Sequence, residues 1–146
     1  MQPLTGIRVI DLTQIYQGPY CSFLMAMAGA EVIKVEPLTG ERTRRHDVSD
    51  VPPMNFAMLN SNKQSVTLNL KKAKGSEILK QLVKDADVLI ENFAPGVMDR
   101  LGVGYQELKK INSKLIYASG TGYGLSGPDR DLLAMDHTVQ ADGGLM

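Results

Sequence analysis

The sequence has almost no cysteine, no excess of either charge and no long apolar run, and each absence narrows what the chain can be. The single Cys21 excludes an internal disulfide. It stands in an apolar stretch, which predicts a buried small hydrophobe in a reducing compartment rather than a nucleophile. Sixteen basic and sixteen acidic residues cancel, so no net field argues for a nucleic acid or a membrane surface as partner. The most apolar stretch, Phe23 to Ala30, falls well short of the roughly 20 residues that a bilayer-spanning helix needs. No basic segment precedes an apolar one at the start, and no repeat, low-complexity tract or inter-domain linker interrupts the chain. The expectation is one soluble, cytoplasmic domain over residues 1–146, with no metal site.

The stretch from Asp87 to Gly102 organises the rest. A short apolar run, Val88-Leu-Ile90, follows polar Lys84-Asp85; the chain bends at Ala94-Pro95-Gly96 and resumes with Val97, Met98 and Leu101 at helical spacing. This pattern predicts strand, loop, helix. In an open α/β sheet ligands bind at the carboxyl ends of strands, which places Asn92 and Phe93 at the rim of a crevice. Asn92 offers a donor and an acceptor, Phe93 an aromatic surface, and Arg100 a cation suited to phosphate. Arg100 can equally be a solvated cation near a helix C-terminus.

Other segments fit the same architecture. Ile7 to Leu12 is β-branched and bounded by Gly6 and Thr13, as a buried first strand would be. Pro19 suits the first position of a helix whose Phe23, Leu24, Met27 and Ala28 share a face and whose stop is Gly29. Glu31 to Val35 predicts a second strand, followed by an exposed loop with the charged run Glu41-Arg-Thr-Arg-Arg-His46. Pro52-Pro53 interrupts the chain before a helical turn at Met54 to Leu59. Ser65 to Leu70 alternates as a partly exposed third strand, and Lys71 to Ala86 predicts a helix with Ile78, Leu79, Leu82 and Val83 inward. Tyr105, Leu108 and Ile111 mark another helix, and Lys114 to Ser119 a fifth strand. Strands alternating with helices imply an α/β fold: a Rossmann-like open, mainly parallel five-stranded sheet with helices on both faces.

Gly122, Gly124 and Gly127 satisfy G-x-G-x-x-G after the fifth strand, the pattern of a dinucleotide site. That fingerprint needs a helix to begin among the glycines, whereas Pro128-Asp-Arg130 follows them, so ordinary loop glycines are the competing reading. Were Asp136 to lie in the first turn of a helix, its carboxylate would be favourable N-terminal chemistry in any case.

Several linked motifs in order, Leu4-Thr-Gly-Ile-Arg-Val-Ile-Asp-Leu12, Gly29-Ala-Glu-Val-Ile-Lys-Val-Glu-Pro37, the Asp87 to Gly102 stretch and Gln140-Ala-Asp-Gly-Gly144, resemble the N-terminal portion of the family III CoA-transferases. That family includes formyl-CoA:oxalate and carnitine CoA-transferases and the α-methylacyl-CoA racemases. The resemblance implies coenzyme A or acyl-CoA as substrate, with a small carboxylic acid as acceptor. Tyr16 and Gln17 then fall on the loop touching the acyl-CoA, Tyr16 replacing a glutamine of formyl-CoA transferase. Leu68, Asn69, Leu70 and Lys71 match the segment at the adenine end. Asn92, Phe93, Ala94 and Arg100 match further CoA contacts, and the arginines of the run at 41–46 are placed near the adenosine phosphates. Asp136 matches a supporting active-site acid, preceded by Met135 instead of an aromatic. Racemases place a His before that acid, whereas His137 follows it.

The family mechanism implied is covalent: an aspartate attacks the donor thioester to give a mixed anhydride, and CoA passes to the acceptor. That aspartate lies beyond the Gly-Gly-Leu segment, and Asp142 does not take its place, so the 146 residues are expected to be a fragment without a complete active site. The alternatives are a non-catalytic acyl-CoA-binding fragment, a racemase part, and an NAD-binding oxidoreductase domain. Complete members form interlocked homodimers, which implies apolar surface left exposed on this chain.

Overall fold

The computed structural model describes residues 1–44 and 53–146; Arg45 and His46 of the charged run and Pro52 lie outside the described residues. Five strands, β1 (Arg8–Asp11), β2 (Glu31–Glu36), β3 (Gln64–Thr67), β4 (Val88–Glu91) and β5 (Ile116–Ser119), form one sheet in the order β3-β2-β1-β4-β5. Every pairing is parallel, with Ile10 opposite both Ile33 and Leu89. Among the described residues six α-helices accompany it: α1 (Gln17–Met27), α2 (Met54–Asn60), α3 (Ala73–Val83), α4 (Val97–Arg100), α5 (Tyr105–Ile111) and α6 (Asp136–Asp142).

The order follows from burial. β4 is buried at all four positions and β1 at three of four, so these two occupy the centre. β3 exposes Gln64, Ser65 and Thr67 and takes an edge, where polar side chains protect the unpaired backbone. Alternation along the strands sends Ile10, Leu12 and Leu89 to the side of α3, α4 and α5, where they pack with Leu79, Val83, Met98 and Leu108. Val9, Val32, Val88 and Ile90 go to the other side, against Ala26 of α1.

α1 corrects the expectation in three ways. Its inward residues are Gly18, Pro19, Ser22 and Ala26, while Leu24 and Met27, expected inside, are about half exposed. A Cβ on Gly18 would fall 2.2 Å from the Thr13 side chain, so small residues are what lets the helix approach β1 this closely. Cys21, expected to be buried, is exposed, and Pro19 sits in the first turn rather than at its first position. Coverage on this side also stops short of β5: in register with Val88, Ile116 remains 63% exposed.

No helix among the described residues is long and apolar enough to cross a membrane. Leu79 is fully buried at the centre of the α3 side, so Leu79→Ala is expected to cost about 2–5 kcal/mol in urea unfolding. A loss below about 1 kcal/mol would mean that this core is not packed as described.

Candidate functional site

Chain connections reverse direction between β1 and β4, and there the crevice of an open α/β sheet forms. Each of the three strands around this point ends in a buried carboxylate that turns the chain leaving it. Asp11 Oδ1 accepts the Thr13 amide at 2.8 Å, Glu91 Oε2 accepts the Phe93 amide at 2.8 Å, and Glu36 Oε2 accepts the Glu41 amide at 2.8 Å.

Two of these carboxylates are neutralised from within the fold. Asp11 Oδ2 accepts Ser22 Oγ at 2.6 Å and Lys63 Nζ at 3.0 Å, and Lys34 Nζ lies 3.8 Å away. Lys63 Nζ also donates to Pro19 O, Asn60 Oδ1 and Ser22 Oγ, and Lys34 Nζ donates to Thr13 O at 2.9 Å. Burial pushes the Lys63 ammonium pKa down, and the Asp11 and Glu41 carboxylates oppose that shift. Glu36 takes two bonds from Arg44, at 2.6 and 2.7 Å, and one from Ser65 Oγ. Arg44 stacks 3.9 Å above the Phe56 ring. The charged run is therefore not simply an exposed loop: Glu41 is buried, and Arg44 is committed to Glu36 rather than free for phosphate.

The loop from Thr13 to Ile15 is held at nearly every backbone group. Asn92 Oδ1 accepts the Gln14 amide at 2.8 Å while its Nδ2 donates to Gln14 O at 2.9 Å. Glu41 Oε1 accepts the Ile15 amide at 2.8 Å, and Ile15 adopts φ +69°. A β-branched residue in that region is strained by roughly 1–2 kcal/mol. The Asn92 amide expected to face a ligand is thus engaged by Gln14, tying the β1 and β4 loops together.

A cleft of about 490 Å³ opens at the carboxyl ends of β1, β2 and β3, a size within the usual range for small-molecule sites. Leu68, Asn69, Leu70, Lys71 and Phe93 line it together with Gln14 and Glu36. A second cleft, of about 670 Å³, lies beside β5 and contains Phe93, Ala94, Glu91 and Tyr117. Burial and the Glu91 carboxylate raise the Tyr117 hydroxyl pKa. Of the remaining expected residues, Tyr16, Gln17 and Arg100 line neither cleft; a Cβ on Gly120 would meet Gln17 Oε1 at 2.9 Å, so that side chain lies against the glycine loop. Asp136 is exposed at the start of α6, bonded to Gln140, and is not brought to the cleft lined by Leu68–Lys71. No helix begins among Gly122, Gly124 and Gly127; the next, α6, starts at Asp136. Sequence reasoning missed Glu41, Lys34 and Lys63. Lys34 could have been found, because it shares a strand face with Val32.

A parallel sheet in the order 3-2-1-4-5 with a crevice at its switch point defines a Rossmann-like α/β fold. The chain matches CoA-transferase family III over residues 4–146 and belongs to that family. It is 47% identical to a formyl-CoA:oxalate CoA-transferase of Afipia carboxidovorans, over 97% of this chain and 34% of that protein. An acyl-CoA transferase of Fusarium pseudograminearum is 43% identical over 98% of this chain and 34% of its own. The crystal structure of a CAIB/BAIF family protein from Brucella suis superposes with a TM-score of 0.92 at 38% identity, covering 99% of this chain and 40% of that one. The chain thus spans about a third of the length of the curated relatives it matches.

The Glu36 contacts carry a pH prediction. Burial alone would raise its pKa, but the hydrogen bonds from Arg44, Ser65 and the Glu41 amide outweigh that and hold it down at about 2, from an ordinary 4.5. A carboxyl depressed on folding stabilises above its unfolded pKa and loses that contribution as pH falls through the folded value. Wild type is therefore expected to lose on the order of 3 kcal/mol between about pH 5 and pH 2 from this group. Glu36→Gln, unfolded by urea over that range, should show a flatter acid limb; identical limbs would contradict the assignment.

Proposed function

We propose that the chain is the N-terminal, coenzyme-A-binding part of a CoA-transferase that moves CoA between an acyl-CoA and a small carboxylic acid. The observation that carries the proposal is the cleft at the carboxyl ends of β1, β2 and β3, where Leu68, Asn69, Leu70, Lys71 and Phe93 come together although 21 residues of sequence separate Lys71 from Phe93. Apolar Leu68 and Leu70 and the Phe93 ring suit an adenine face, Asn69 can read ring nitrogens or hydroxyls, and Lys71 supplies a cation for phosphate. Arg100, which lines neither cleft, is a second candidate cation by the family resemblance alone.

In this reading Tyr16 and Gln17, at the first turn of α1, flank the thioester end, and Asp136 supports the acceptor side. The enzyme–acyl anhydride of this reading forms on the family's nucleophilic aspartate, whose position in the pattern Asp142 does not take. A racemase role would keep the same coenzyme cleft. Tyr20, Leu24 and Met27 on the outer face of α1 are about half exposed, which supports a second copy as the partner in a homodimer.

Calorimetric titration of the chain with coenzyme A and with NAD tests the reading. Coenzyme A is expected to bind and NAD to give no heat; the reverse, or equal binding, would remove the CoA assignment. Lys71→Ala should weaken coenzyme A about 3–5-fold, as for a partly exposed charge pair, and leave dephospho-CoA nearly unchanged if Lys71 meets the ribose phosphate. Equal losses for both ligands would place Lys71 elsewhere.

A further inference from the structure

We infer that Glu41 is a positioning residue that sets the conformation of the Ile15 backbone and thereby presents Tyr16 and Gln17 at the first turn of α1. The inference rests on the coenzyme-binding reading above for its functional consequence, and on geometry alone for its structural part. Ile15 stands at φ +69°, a conformation that L side chains rarely adopt and β-branched ones least of all. Something must hold it there. Asp11, Lys34 and Asn92 fix Thr13 and Gln14, but the amide of Ile15 itself goes to Glu41 Oε1 at 2.8 Å.

Glu41 is built for that purpose. It is 1% exposed, and its other oxygen, Oε2, accepts the Thr43 amide at 3.0 Å and the Thr43 hydroxyl. Its own amide donates to Glu36, which Arg44 clamps. The carboxylate is therefore rigid on the β2 side before it reaches across 26 residues of sequence to Ile15. A charged acceptor inside the fold also makes a stronger bond than a neutral one. Past Ile15 the chain enters α1 through Tyr16, whose exposed side chain and that of Gln17 follow directly from the turn at 15. The same carboxylate reaches Lys63 electrostatically, opposing the effect of burial on that ammonium. Glu41 thus joins the loop after β2 to the loop after β1, the two that border the cleft at Gln14 and Glu36.

The test uses the 146-residue chain with Glu41→Ala, Glu41→Gln, Ile15→Gly and the Glu41→Ala/Ile15→Gly double variant. Two quantities are read: amide hydrogen exchange at Ile15 and Tyr16 by NMR, and affinity for coenzyme A by calorimetry. Glu41→Ala is expected to remove protection at Ile15 and to weaken coenzyme A about tenfold, the size of one lost charged hydrogen bond. Glu41→Gln keeps an acceptor and should stay within about threefold of wild type. Ile15→Gly alone should bind like wild type, because glycine takes the left-handed region freely. In the double variant it should recover much of the lost affinity. A role limited to overall stability would lower the unfolding midpoint without that recovery.

Unchanged Ile15 protection in Glu41→Ala, or no recovery in the double variant, would overturn the inference. Should Glu41→Ala not fold, a loss of affinity in Ile15→Gly as large as that in Glu41→Gln, or larger, would overturn it as well, by showing that the Ile15 side chain and not its backbone matters. If wild type binds no coenzyme A, the functional reading falls while the exchange measurements still decide the role of Glu41.

Discussion

The structure depends on a carboxylate at the last position of each strand around the switch point. Asp11, Glu36 and Glu91 end β1, β2 and β4, all three are buried, and each accepts a backbone amide of the loop it launches. A buried carboxylate is costly unless it is paired and hydrogen-bonded. The fold meets that demand at Asp11 with Lys34 and Lys63 and at Glu36 with Arg44. The polar groups that make burial tolerable are therefore the same groups that fix where the loops at the switch point lie. Removing one partner would leave an uncompensated charge, which is why this network specifies one loop geometry rather than several.

A hierarchy follows. Lys34 and Lys63 hold Asp11, Asp11 holds Thr13 and Ser22 of α1, Asn92 ties Gln14 to the β4 loop, and Glu41 holds Ile15. A crevice arranged in this way is set before a ligand arrives, so less ordering is needed on binding. The cleft walls are simpler: apolar side chains from the ends of β1, β2 and β3 and a phenyl ring from the β4 loop. Rigid polar loops on an apolar floor suit a ligand with a flat base at one end and charged groups along its length.

Much of this was legible in the sequence. The β-branched run at Ile7 to Leu12 and the apolar run before Glu91 gave the two central strands, and Ala94-Pro95-Gly96 marked the turn into α4. Gly29, expected as a helix stop, follows the α1 C-cap with φ +98°. The glycine-rich loop after β5 was read correctly as lacking a helix. The outer face of α1 was not legible, because periodicity locates apolar stripes and does not show that Gly18 and Ser22 must face inward to clear Thr13 and reach Asp11. Leu24 and Met27 consequently pointed the wrong way. Glu41 reads as part of an exposed charged loop, since it is buried only by partners elsewhere in the fold. Asn92 was singled out for the right chemistry, a paired donor and acceptor, and its partner proved to be the Gln14 backbone.

The central claim is that the locked loops at the β1–β4 switch point frame a coenzyme site floored by Leu68 to Lys71 and Phe93. The most direct measurement is a crystal structure of the chain with coenzyme A bound. The account predicts the adenosine end in the cleft between Leu68–Lys71 and Phe93, with the Gln14 and Ile15 backbone unmoved. Coenzyme A in the cleft beside β5, or on the Gly122–Gly127 loop, would contradict it.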